Sequence, residues 1–115
     1  MRLETFTDGK LREQWDDTSR TYTAWGADGE ISEARPYTEQ ENTEADARLA
    51  DATAKATTQA NLLSKMETAL ANNAAFLALA SPNQAQAVAQ VKALTRQINA
   101  AIRYLTNRLD TTDDT

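Results

Sequence analysis

From Ala45 to Leu77 small and apolar residues recur at alternating intervals of four and three: Ala45, Leu49, Ala52, Ala56, Gln59, Leu63, Met66, Leu70, Asn73 and Leu77. Such alternation lays one stripe along a helix and marks a helix that packs lengthwise against other helices. Gln59 and Asn73 break the stripe with polar groups, which trade stability for register or oligomeric state. The bland alternative is that the helix turns or ends near Asn72-Asn73. Thr38-Glu39-Gln40-Glu41 reads as a capping box at its start. At 1.5 Å per residue, a helix over 38–80 reaches about 60 Å, longer than a globular domain of this size needs.

Ser81-Pro82-Asn83-Gln84 interrupts the pattern. The sequence predicts that Ser81 caps a second helix over 81–109, with Pro82 in its first turn and Gln84 completing the box. Ala87, Val91, Leu94, Ile98, Ile102, Leu105 and Leu109 share one face of it, and Lys92, Arg96, Asn99 and Arg103 share another. The helix–helix interface is therefore assigned to Leu49, Ala52, Ala56, Leu63, Met66, Leu70, Leu77, Val91, Leu94, Ile98, Ile102 and Leu105. Either the two helices continue as a stalk that oligomerises, or the second folds back on the first at Ser81-Pro82 as an antiparallel hairpin. The acidic segment 110–115 is expected to be a flexible tail or to dock on a neighbour.

Residues 1–37 carry different chemistry. Asp8-Gly9 separates two runs rich in β-formers, a hairpin signal because glycine takes positive φ cheaply. Arg20–Trp25 and Glu30–Arg35 suggest a second hairpin, with Gly26-Ala27-Asp28-Gly29 as its loop. Hairpins this short need something to lean on. Trp15, Tyr22, Trp25 and Tyr37 are read as the small core of this head, with a docking surface as the alternative.

Composition narrows the function. Hydrophobic residues make up 41% of the chain but aromatics only 6%. Much of the apolar content is alanine, which buries little area, so a core within one chain is thin and partners or further copies are expected. Without histidine or cysteine, the commonest general base and the thiolate are both missing. Asp16-Asp17 and Glu30…Glu33 are the nearest approach to paired carboxylates, but on a turn and a short hairpin they lack the pocket that drives pKa values apart. No residue spacing suggests a metal site or a phosphate-binding loop, so no catalytic residue, metal or cofactor is expected. No apolar run has the length of a membrane span, and the N-terminal residues do not read as a signal peptide, which suggests a protein kept soluble without a classical export route.

The net charge of −5 is distributed unevenly: −6 over residues 1–44, balanced over 45–80, +4 over 81–109 and −3 over 110–115. This layout suits charge-complementary packing between segments or copies. The stripe Lys92-Arg96-Arg103 raises the question of nucleic acid, but the chain is acidic overall and the stripe lacks interleaved aromatics apart from Tyr104. It is read as a solvated face, or as one that pairs with acids of a neighbouring copy.

Three segments carry a resemblance. Ala34-Arg35-Pro36-Tyr37-Thr38-Glu39-Gln40-Glu41-Asn42 leading into Ala45-Asp46-Ala47-Arg48, residues Asn72–Leu79 with Ser81–Gln86, and Val91–Gln97 resemble small tail-associated proteins of tailed actinobacterial phages. The resemblance covers most of the chain and is strongest from about residue 72 onward; the acidic Thr/Asp ending also fits it. It implies a virion structural protein near the tail tip or fibre and transfers no catalytic or binding residue. The expected fold is mainly α with a small N-terminal β part: a β-hairpin head (1–37), a long heptad helix (38–80), a second amphipathic helix (81–109) and an acidic tail (110–115). Its expected partners are copies of itself, with a trimer favoured by analogy with phage fibres, and other phage tail proteins, but neither nucleic acid nor membrane. A tail-assembly chaperone and a head-fibre or decoration protein are the alternatives.

Overall fold

Asp8 (φ 52°) and Gly9 (φ 73°) are both left-handed, the two-residue turn whose twist matches paired strands. It joins β1 (Arg2–Thr7) to β2 (Lys10–Asp16) as the sequence predicts. β3 (Thr21–Trp25) and β4 (Ile31–Pro36) form the second hairpin, closed by the Gly26 amide donating to the Glu30 carbonyl at 2.9 Å. The computed structural model describes residues 1–115 and adds what the sequence did not reveal: β2 also pairs with β3, making one antiparallel sheet in the order β1-β2-β3-β4. The connecting turn is fixed by Asp16, whose Oδ1 accepts from the amides of Thr18 (2.9 Å) and Ser19 (3.3 Å). Two helices follow, α1 (Glu39–Leu77) and α2 (Gln84–Leu105). The expected fold class is the one observed.

The chain divides into two units, Met1–Ala50 and Asp51–Thr115. The first extends past the expected boundary at residue 37 because the sheet leans on the start of α1. Strand register brings Leu3, Trp15, Tyr22 and Arg35 into one cross-strand row. Tyr22 and Tyr37 are buried with Ala45 of α1, and Trp15 and Ala24 pack against them. The Trp15 and Tyr22 rings lie 5.1 Å apart, and the Arg35 guanidinium sits 4.3 Å over the Tyr22 ring. These are favourable aromatic and cation–π spacings.

Polar ties finish this unit. Glu41 accepts from Arg35 Nη1 (2.7 Å) and Nη2 (3.0 Å), from Trp15 Nε1 (3.1 Å) and from the Thr38 amide (2.8 Å). The Glu41 amide in turn donates to Thr38 Oγ1 at 3.2 Å, so the capping box forms as expected. Asp17 accepts from Arg48 Nη2 and from the Tyr37 hydroxyl, at 2.7 and 2.8 Å. The Arg48 contact is the chief cause that holds Asp17 down at about 2, and Arg35 does the same for Glu41, also at about 2. Burial, aided by Asp17, pushes Tyr37 up to about 12.

In the second unit α2 lies antiparallel along the later turns of α1, so the chain takes the fold-back arrangement. Leu62, fully buried, packs with Ala100 and Leu109, and Met66 and Tyr104 close around them. Further along, Asn73 Oδ1 accepts from Gln90 Nε2 (2.8 Å) and Gln97 Nε2 (3.2 Å), while its Nδ2 donates to Gln97 Oε1 (2.8 Å). Satisfying these amides inside the hairpin fixes register at little net gain in stability.

Both ends of the second helix differ from expectation. The cap is Asn83, not Ser81: Asn83 Oδ1 accepts from the Gln86 amide at 2.8 Å and Gln86 Oε1 from the Asn83 amide at 2.9 Å. Proline resists being preceded by helical backbone, and asparagine caps as well as serine, so the helix begins after Pro82 and not before it. At the other end Asn107 turns left-handed (φ 56°), and the Arg108 amide returns to the Arg103 carbonyl at 2.8 Å. Leu109 therefore leaves the Val91–Leu105 face and folds back onto Leu62. The acidic tail lies on its own hairpin: Asn99 Nδ2 donates to the Asp114 backbone oxygen (3.0 Å), and Lys65 Nζ to Thr115 (2.9 Å).

Two measurements check this account. Asp17 and Glu41 have folded values below their ordinary 3.8 and 4.5, so the stability they contribute is complete above those values and is lost as pH falls toward about 2. Tyr37 acts oppositely, its contribution being complete below 10 and lost as pH rises through about 12. Tryptophan fluorescence should report the acid transition, and Arg48→Met should remove the part due to Asp17. Leu62→Ala should cost the second unit about 2–4 kcal/mol, read by thermal denaturation followed by circular dichroism.

Candidate functional site

The interior of the hairpin is one three-four line on each helix. Leu62, Met66, Ala69, Asn73 and Phe76 on α1 are buried or half-buried, as are Gln90, Ala93, Gln97, Ala100 and Tyr104 on α2. The larger aliphatic residues run along a second line, one position later. Leu63, Leu70 and Leu77 follow Leu62, Ala69 and Phe76, and Val91, Leu94, Ile98 and Leu105 follow Gln90, Ala93, Gln97 and Tyr104. One residue is a rotation of about 100° around a helix. Because the helices are antiparallel, the same rotation on each turns both lines to the same side of the hairpin.

The result is one aliphatic face two helices wide, completed by Ile102. Its eight side-chain positions are between 41% and 82% exposed. No charged residue of α2 lies on it, and on α1 Glu67 stands at its outer edge, beside Leu63 and Leu70. On the opposite side Lys65, Asn72, Arg96 and Gln97 line a groove of about 290 Å³ with Thr115, over a floor that includes Met66, Ala69, Ala93 and Ala100. There Arg103 meets Asp110 of its own chain at 3.5 Å, so part of the basic stripe is answered from within the molecule.

The expected interface residues divide accordingly. Leu63, Leu70, Leu77, Val91, Leu94, Ile98, Ile102 and Leu105 belong to the exposed face, and Ala52 and Ala56 are also exposed. Leu49 is exposed within the first unit. Met66 turns toward α2 and packs on the Leu62 cluster. Of the four aromatics weighed as a docking surface, Tyr22 and Tyr37 are core, Trp15 packs against them, and half-buried Trp25 lies outside the cluster.

No family model, curated protein or solved structure matches the chain. The face is therefore read from its own chemistry. No group of three or more acidic side chains is gathered for a metal ion, and no helix is long and apolar enough to cross a membrane.

The inward residues Leu62, Ala69 and Ala100 were missed by the sequence reading, which took the line through Leu63 and Leu70 as the seam. The missed signal was the pair of amides Gln90 and Gln97 on α2, which answer Asn73, a residue already placed in the seam. Asn73→Ala, which strips Gln90 and Gln97 of their shared partner, should lower the stability of the second unit by about 1–2 kcal/mol in chemical denaturation.

Proposed function

We propose that this chain is a non-catalytic structural component of a phage virion, in the tail tip or fibre region. It works by joining helices through the aliphatic face of its second unit, while its sheet-bearing first unit docks on larger tail proteins. The observation that carries the joining role is the face itself. Its eight residues leave on the order of 900 Å² of apolar surface open, where the largest patch on a monomeric protein is typically about 300–600 Å². Such a surface in water favours association.

The virion assignment is supported by the resemblance of residues 34–48 and of the region from residue 72 onward to small tail-associated phage proteins. A non-catalytic role is supported by the absence of histidine and cysteine and by the engagement of Asp17 and Glu41 with Arg48 and Arg35. An assembly chaperone that leaves the finished particle is the competing assignment.

Quantitative mass spectrometry of purified particles separates the two. Peptides of this chain should appear at a fixed stoichiometry to the tail proteins, and their absence would favour the chaperone. Titration with DNA at low salt should be flat; a steeply salt-dependent affinity would point to nucleic acid instead.

A further inference from the structure

We infer that the aliphatic face is covered by a second copy of this chain, so that two hairpins form a four-helix bundle. The inference rests on the joining role proposed above and names its partner.

Area is the first argument. Complete covering of about 900 Å² on each copy would bury at most about 1,800 Å² in total, which reaches the 1,200–2,000 Å² of stable specific interfaces. Shape is the second. The face is two helices wide, and two such faces close completely on each other; three around a common axis would leave an unfilled centre. Leu63, Leu70 and Leu77 are seven residues apart, as are Val91, Ile98 and Leu105. That repeat suits the shallow crossing of helices packed lengthwise in bundles.

Charge bears on the partner. A face without cations or anions, apart from Glu67 at its edge, offers nothing to a charged ligand, whereas the same face on another copy is equally neutral.

Sedimentation velocity on the full chain tests the pairing. A dimer is expected at micromolar concentration, and Ile98→Glu should weaken it at least about thirtyfold while leaving helical content unchanged. Leu70→Ser, a milder change on the other helix, should weaken it too and covers the case in which Ile98→Glu fails to fold. A wild-type monomer or trimer overturns the inference. A monomer still found at fixed stoichiometry in particles would leave the structural role standing, with the face covered by another tail protein.

Discussion

Each helix of the second unit carries two parallel three-four lines one residue apart, and only one of them can face its neighbour in the same chain. On α2 the line turned inward is the poorer in large apolar groups, offering Gln90, Ala93, Gln97, Ala100 and Tyr104. Small residues let the helices approach, and the Asn73–Gln90–Gln97 amides fix how they align. The better hydrophobic line is left facing outward. With alanine or an amide at six of its ten inward positions, the interior makes fewer of the close contacts that stabilise a core.

The first unit solves the same shortage of apolar volume differently. Its core is two tyrosines and an alanine, and charged side chains lock it from outside. Glu41 holds the start of α1, the indole of Trp15 and the guanidinium of Arg35, which itself covers the Tyr22 ring. Arg20, in a left-handed conformation after β2, is held by Asn42 and by Asp46 at 2.7 Å. Such a unit is stabilised by geometry that spans strand and helix more than by buried area, which is why it cannot end at residue 37.

Much of this was legible in the sequence. Asp8-Gly9 fixed the first hairpin, Thr38…Glu41 the start of α1, and Ser81-Pro82 the break, because each acts through local backbone chemistry. The β2–β3 pairing was harder to see because its turn depends on Asp16 as an acceptor and on a non-glycine residue, Arg20, at positive φ. The identity of the inward line was harder still. Periodicity locates a stripe on a helix but cannot say which neighbour it meets, and the eye follows leucine where the fold had placed asparagine and glutamine. Leu109 was misplaced for a related reason: the pattern continues through it, but the left-handed Asn107 ends the helix first.

The segment after α2 has a consequence for how copies of this molecule can accumulate. By lying along the groove opposite the aliphatic face, with Asp110 near Arg103 and Thr115 on Lys65, it brings hydroxyls and carboxylates to that side of the hairpin. A hairpin sticky on both sides would stack without limit into ribbons. In the pairing inferred above, a hairpin sticky on a single side would run out of valence after its first encounter.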